Sequence, residues 1–169
     1  MQRTDRRDFE QFARACSHEL LRAGWLLTGD RHRGEDLAQE TLARVFTRWS
    51  RVRAADNPVA YARTILTRLH LDSVRRLSST ELSLADPPLG QVSTPDSDLR
   101  QVLVAALREL APLDRAVVVH RYLFDADVAT VARDLLLTEN AVRTRASRSL
   151  ARIREHLGSD FLELHENSR

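Results

Sequence analysis

The sequence predicts an all-α protein made of two small helical domains joined by a flexible linker. Apolar residues recur at steps of three and four along most of the chain, which is the spacing of helices that bury one face. No run of four or more residues alternates convincingly between apolar and polar, as a half-buried strand would. The periodicity stops between residues 78 and 97, where Ser, Thr, Asp and Pro dominate, so this segment is predicted to be the linker.

Residues 1–77 are predicted to form the first domain, with three helices. The first helix covers about residues 5–27 and stops at Gly29, and Asp30 is the predicted N-cap of the second, which extends to about residue 52. Asn57 and Pro58 are typical N-cap and first residues of a helix, so the third runs from there to about residue 77. The predicted core stripes are Ala38, Leu42, Val45, Phe46 and Trp49 on the second helix, and Tyr61, Ile65 and Leu69 on the third.

Residues 98–158 are predicted to form the second domain, with residues 159–169 as a frayed tail. Its four helices are expected at about residues 98–110, 112–123, 126–135 and 139–157, joined by very short turns. The last two match a helix-turn-helix, with the small Ala132 at the crossing and Thr138 as the cap of the second helix.

Composition and charge narrow the class of protein. The chain of 169 residues is 43% hydrophobic and 30% charged, its N-terminus is charged, and it lacks the run of about 18 apolar residues that spans a bilayer. Its single cysteine cannot form an intramolecular disulfide, so we expect a cytoplasmic protein without membrane insertion. The net charge of +2 is small, but an acidic stretch, residues 78–98, separates two basic blocks.

The last predicted helix has two different faces. Val142, Ala146, Leu150 and Ile153 form the predicted buried stripe. The opposite face is rich in hydrogen-bond donors that could reach base edges in the major groove: Asn140, Arg143, Thr144, Ser147 and Arg148. Flanking arginines suit phosphate contacts: Arg145, Arg152 and Arg154. The alternative is a helical hairpin whose arginine face is merely solvated.

Four segments together resemble the sigma-70 family, in its extracytoplasmic-function group. Residues 26–30 (LLTGD) ahead of residues 35–37 (EDL) are most similar to the sigma-E-like subgroup. Residues 128–155 are similar to region 4.2, residues 35–41 (EDLAQET) to region 2.2, and residues 57–63 (NPVAYAR) with 71–76 (LDSVRR) to regions 2.3 and 2.4. The resemblance implies a sigma factor that directs promoter-specific transcription initiation. Region 2 would bind core RNA polymerase and the minus-10 element, region 4 the minus-35 element, and an anti-sigma factor is an expected further partner.

The resemblance also implies which residues make these contacts. The polymerase-docking residues would be Asp36, Gln39, Glu40 and Arg44. Their spacing independently places them on one helix face, although a solvated face with a Glu40–Arg44 pair fits the same spacing. The DNA-binding residues would be Arg63, Arg68, Asp72, Arg75 and Arg76 in region 2, and Glu139, Asn140, Arg143, Thr144, Arg145, Ser147, Arg148 and Arg152 in region 4. Tyr61 could stack on an extruded base, but its phase with Ile65 and Leu69 favours a core position.

Two positions depart from the family pattern. Leu136 occupies the position in the turn that glycine usually holds, so it must either adopt a left-handed conformation or alter the turn. Arg68 stands where many relatives have asparagine, so the usual minus-10 base preference does not transfer to this chain.

Other classes of function find little support in the sequence. The six histidines show no HExxH or paired ligand spacing, and there is no Gly-rich phosphate loop, so we expect no enzymatic activity, no metal and no cofactor. Cys16 and His18 are two residues apart on a predicted helix, where their side chains diverge. The main alternative is a helix-turn-helix regulator whose N-terminal helices bind a ligand or dimerise. A helical adaptor that binds only proteins is a further alternative.

Overall fold

The computed structural model describes residues 3–79 and 95–166, with side chains described for residues 5–79 and 100–158. Every regular element within these ranges is a helix, which confirms the predicted fold class. The chain divides into two compact units, Met1–Leu82 and Ser83–Arg169. Most of the predicted linker lies outside the described residues, but its two ends belong to helices. None of the described helices is both long and apolar enough to cross a membrane.

The first unit contains four helices: α1 (Arg3–Thr28), α2 (Arg31–Thr47), α3 (Trp49–Arg53) and α4 (Pro58–Ser79). The predicted caps are confirmed, since Asp30 accepts a hydrogen bond from the backbone N–H of Arg33 and Asn57 Oδ1 accepts one from Ala60 N at 3.0 Å. The second predicted helix is in fact two, because Arg48 at φ −117° and ψ 21° leaves the helical conformation. This break separates α2 from the short α3.

Helices α1 and α2 of this unit touch backbone to backbone. A Cβ built on Gly24 would lie 2.5 Å from the carbonyl oxygen of Gly34, and one built on Gly34 would lie 2.5 Å from the backbone nitrogen of Trp25. The absence of side chains at both glycines therefore allows the close approach. Fully buried Leu20, Leu27 and Val45 fill the adjoining core.

An aromatic cluster joins the N-terminal part of α1 to α2 and α3. The ring of Phe9 meets Phe46 edge-on at 4.8 Å and Trp49 at 5.5 Å, and Phe12 lies 5.1 Å from Trp49. Trp49 is buried as predicted, but Phe46 remains 40% exposed because it sits at the rim of the cluster. Arg53, at the end of α3, stabilises the position of the N-terminal end of α1 through an ion pair with Asp5, with 2.7 Å between Nη1 and Oδ1.

The buried face of α4 is rotated from the predicted stripe. Ala62, Leu66 and Leu69 are buried, whereas Tyr61 and Ile65 are only half-buried. The predicted stripe was therefore wrong at Tyr61 and Ile65 and right at Leu69. The buried face of α4 instead includes the residues that follow each of the first two, 62 and 66, which lie toward α1 and α2.

The Cys16 and His18 pair does not form a site. Cys16 is buried in α1, where its thiol donates to the carbonyl oxygen of Ala13, and His18 is exposed on another face. Burial raises the pKa of the Cys16 thiol to about 11, so the thiol stays protonated and poorly nucleophilic through the neutral range. Among the described residues, no cluster of three or more His, Cys, Asp or Glu could hold a metal ion.

The second unit contains α5 (Pro95–Arg108), α6 (Pro112–Val118), a π-helical turn (Val119–Leu123), α7 (Val128–Leu135) and α8 (Glu139–Glu166). The predicted end of the last helix near residue 157 was wrong, and most of the predicted tail lies within α8. Gly158 lowers helix propensity by about 1 kcal/mol but does not break the helix.

Arg115 and His120 are polar residues whose side chains lie in the core of the second unit. The buried Arg115 donates from Nη2 to the carbonyl oxygens of Arg108 at 3.0 Å and Leu110 at 3.2 Å, and so caps the C-terminal end of α5. His120 is buried in the π-helical turn and packs edge-on against Phe124, with ring centroids 5.2 Å apart. It is a packed histidine.

Candidate nucleic-acid interface and docking surface

The pair α7 and α8 forms a helix-turn-helix with a capped start to each helix. Asp127 Oδ1 accepts from Thr130 N at 2.6 Å, and Thr138 Oγ1 accepts from Ala141 N at 3.1 Å, as predicted for Thr138. The bond from Thr130 N holds the pKa of the Asp127 carboxyl below its ordinary value. This cap is therefore fully formed above the ordinary pKa of an aspartate and is lost as the pH falls through the lowered value.

The turn between the two helices settles how Leu136 is accommodated. Leu136 adopts the left-handed conformation, with φ 56° and ψ 45°, and Leu137 N closes the turn on Ala132 O at 2.8 Å. The Leu136 side chain is 84% exposed, so no packing compensates for the strain of a non-glycine residue in this conformation. The turn therefore has the same geometry that glycine would allow, and the strain at Leu136 lowers the stability of the second unit.

We expect Leu136→Gly to stabilise the second unit by about 1 kcal/mol, because glycine adopts the left-handed conformation without a Cβ clash. Leu136→Ala is the matched control, since it removes the exposed apolar atoms but keeps the Cβ. Thermal unfolding followed by circular dichroism measures both variants. If Leu136→Ala stabilised as much as Leu136→Gly, the exposed side chain and not backbone strain would be the source of the gain.

The two predicted faces of α8 are present. Val142, Ala146 and Ile153 are buried, and Ser149 is buried beside them, whereas Leu150 is only half-buried. The donor-rich residues on the other side are all exposed: Asn140, Arg143, Thr144, Ser147 and Arg148. Arg152 and Arg154 are exposed as well. The first turns of α8 therefore present a polar, arginine-rich surface to solvent.

Two arginines of α8 are already bonded within the unit. Arg145 is half-buried, and its Nη1 lies 2.5 Å from Asp114 Oδ1 of α6. This ion pair fastens α8 to α6. Arg143 donates from Nη2 to Glu139 Oε2 at 2.7 Å, one turn earlier on the same exposed face.

The four residues predicted to dock on polymerase lie together on the exposed face of α2. Asp36, Gln39, Glu40 and Arg44 are all exposed, and Arg44 Nη2 lies 2.8 Å from Glu40 Oε1. The opposite face of α2 is buried, with Leu37, Ala38, Thr41 and Val45 facing the core. The structure therefore brings these four residues onto one surface.

The charged residues of α4 divide between two faces. Arg68, Asp72, Arg75 and Arg76 are exposed near the C-terminal half of the helix, and Arg75 Nη1 lies 3.7 Å from Asp72 Oδ1. Arg63 differs, because it is half-buried against α1 and its Nη2 lies 2.8 Å from Glu19 Oε2. This ion pair joins α4 to α1, so Arg63 does not share the exposed face.

Sequence comparison decides the family. The profile described as "Sigma-70 region 2" matches residues 12–80, and "Sigma-70, region 4" matches residues 100–153. The chain is 31% identical over 153 residues to the RNA polymerase sigma-E factor of Streptomyces coelicolor, covering 89% of this chain and 86% of the relative. It is 30% identical over 158 residues to the sigma-E factor of Streptomyces antibioticus, covering 92% and 88%.

The chain belongs to the sigma-70 family of RNA polymerase sigma factors. It falls among the extracytoplasmic-function, sigma-E-like members, and as a sigma factor it acts with RNA polymerase and promoter DNA in transcription initiation. In fold it is similar to the sigma factor RpoE solved in complex with the anti-sigma factor NepR from Bartonella quintana. That comparison has a TM-score of 0.72 and 22% identity, and it covers 90% of this chain and 98% of that one.

Sequence reasoning missed two acidic residues that shape the surfaces of this sigma factor. Glu19 forms an ion pair with Arg63, 44 residues later in the chain, and Asp114 forms one with Arg145, 31 residues later. No spacing rule connects residues this far apart, because their contact depends on how separate helices pack. Within one helix the pairing is predictable, and the Glu40–Arg44 bond anticipated from the sequence is confirmed.

Proposed function

We propose that the second unit recognises the minus-35 promoter element through the exposed face of α8. The observation that carries this proposal is that the first turns of α8 have a buried stripe on one side and an exposed, donor-rich face on the other. These turns follow immediately after the turn of the helix-turn-helix, where Thr138 caps α8. A recognition helix enters the major groove with its N-terminal residues nearest the base edges. The proposed base-reading residues are Asn140, Arg143, Thr144, Ser147 and Arg148, with Arg152 as a phosphate contact.

We propose that the first unit docks on core RNA polymerase through the α2 surface formed by Asp36, Gln39, Glu40 and Arg44. Their exposure leaves the surface available to a partner, while the buried opposite face holds α2 rigidly in the unit. Charged surfaces of this kind set the orientation of a complex and the rate of encounter. The Glu40–Arg44 bond would exchange for bonds to the partner.

We propose that the exposed face of α4 meets the minus-10 element. Arg68, Arg75 and Arg76 outnumber Asp72, so this face carries net positive charge toward DNA phosphates or an unpaired strand. Arg63 contributes indirectly, by fastening α4 to α1 through Glu19. Arg145 has the same indirect role in the second unit.

The polymerase performs the chemistry in this proposal, and the sigma factor itself acts without enzymatic activity, metal or cofactor. Its place of action is the cytoplasm, where the polymerase and the promoters are. We also propose an anti-sigma factor as a regulatory partner, supported by the similar fold of the sigma factor RpoE in its complex with NepR. Such a partner would compete for the polymerase- and DNA-binding surfaces.

The DNA assignment predicts different behaviour for Arg143→Ala and Arg152→Ala. Loss of Arg143 should cost about 1 to 3 kcal/mol on a preferred minus-35 duplex and much less on scrambled DNA, because a base contact is lost. Loss of Arg152 should weaken both duplexes similarly and reduce the salt slope by about one ion. Binding titrations at several salt concentrations measure both effects. Equal weakening of both duplexes by Arg143→Ala would refute the proposed reading face.

A further inference from the structure

The proposed DNA-reading surface begins with a negative charge. Glu139 is the first residue of α8, and in the sequence from Thr138 to Arg154 it is the one acidic residue among five arginines. Its side chain is 50% exposed on the face that would approach the negatively charged DNA backbone. A carboxylate in this place opposes binding to phosphates, so its contribution must come from another interaction.

That interaction is the bond to Arg143. Glu139 Oε2 lies 2.7 Å from Arg143 Nη2, and Arg143 is itself 59% exposed. A guanidinium has five N–H donors in a fixed planar arrangement, so a carboxylate on one edge fixes the direction of the others. The pair has the i to i+4 spacing and is exposed, so it adds little to the stability of the fold. Its consequence is therefore expected in binding.

We propose that Glu139 is a positioning residue that makes Arg143 selective for its target base. On DNA of the wrong sequence, the carboxylate keeps the Arg143 guanidinium neutralised and competes with phosphates for it. On the target, Arg143 can donate to the O6 and N7 of a guanine, while Glu139 can accept from the N4 of a cytosine. A phosphate offers no such donor, so Glu139 penalises non-target DNA more than target DNA. This inference rests on the proposed function of α8.

The test uses Glu139→Gln in the full chain, which keeps the size of the side chain and leaves the Thr138 cap in place. The probes are a duplex selected from a random pool by the unmutated protein and a scrambled version of that duplex. We expect affinity for the scrambled duplex to rise about tenfold and its salt slope to steepen by about one ion, because Arg143 becomes free to bind a phosphate. Affinity for the selected duplex should change less than about threefold.

Glu10→Gln is the matched control. Glu10 is also 50% exposed and pairs with Arg6 at 3.2 Å with the same four-residue separation, but it lies in α1 of the first unit. This variant makes the same change in net charge and removes the same kind of ion pair. It should leave the affinities for both duplexes and both salt slopes unchanged.

A second arm repeats Glu139→Gln in an Arg143→Ala background, where the proposal predicts that the effect on selectivity disappears. The inference is overturned if Glu139→Gln changes both duplexes by the same factor, or if its effect persists without Arg143. In those cases the unmutated protein would still prefer its selected duplex, and the proposed function would stand. If the unmutated protein selects no sequence from the pool, the proposed function of α8 fails and the inference fails with it.

Discussion

Gly34→Ala is expected to destabilise the first unit by about 3 kcal/mol, near the upper end of the usual cost of overpacking. The new Cβ would lie 2.5 Å from the backbone nitrogen of Trp25, and backbone atoms cannot rotate away as the end of a side chain can. Helices α1 and α2 would have to separate, which would weaken the packing of Leu20, Leu27 and Val45. For a unit of this size, the loss corresponds to a fall in Tm of roughly 10 to 20 °C.

Tryptophan fluorescence measures this loss selectively, because Trp25 and Trp49, the two tryptophans of the chain, both lie in the first unit. Gly158→Ala is the control. A Cβ at Gly158 meets nothing within 4 Å, and Gly158 lies in the second unit, so alanine there should leave the fluorescence transition of the first unit unchanged. A Gly34→Ala protein that unfolds at the temperature of the unmutated protein would show that α1 and α2 do not cross as closely as described.

Reversing the charges of Asp36 and Glu40 is expected to weaken binding to core RNA polymerase about a hundredfold. The variant Asp36→Lys with Glu40→Lys replaces two negative charges with positive ones. A partner surface that is complementary to the negative charges would then face like charges, and placing like charges together costs several kcal/mol. Both side chains are exposed. Among the ion pairs described, the change disrupts only the helical Glu40–Arg44 pair, which is worth about 0.2 to 0.5 kcal/mol. The fold should therefore persist.

The matched control is Glu10→Lys with Glu109→Lys. It makes the same change in net charge at exposed positions outside the proposed docking surface. Titration of each labelled variant with core polymerase gives the affinities, and circular dichroism confirms that the helices remain. Equal affinities for the two double variants would show that the α2 surface does not bind core polymerase.

The helices and the helix-turn-helix could be predicted because their signals are local. Asp30, Asn57 and Thr138 are capping residues that act on backbone groups two or three positions away, so their roles can be read from the sequence. The same holds for the two faces of α8, which follow from helical periodicity. At Leu136, however, the sequence left two outcomes open, and the φ of 56° in the structure decides between them.

The features that sequence could not supply depend on contacts between helices. The half-burial of Arg63 follows from the packing of α4 on α1, and that of Arg145 from the packing of α8 on α6. Both arginines are predicted DNA contacts, and the sequence shows their charge but not these ion-pair partners. The exposure of Phe46 has the same origin, since its position at the rim of the aromatic cluster depends on where Phe9 lies.

Transcription in vitro tests whether this chain directs RNA polymerase to promoters. The measurement adds the protein to core RNA polymerase freed of its own sigma subunits, with genomic fragments of the source organism as templates, and maps the 5′ ends of the transcripts. We expect discrete start sites preceded by shared minus-10 and minus-35 sequences. The transcripts from these sites should be lost with the Asp36→Lys, Glu40→Lys variant. Transcripts no different from those of core polymerase alone, made in the presence of folded protein, would contradict this expectation.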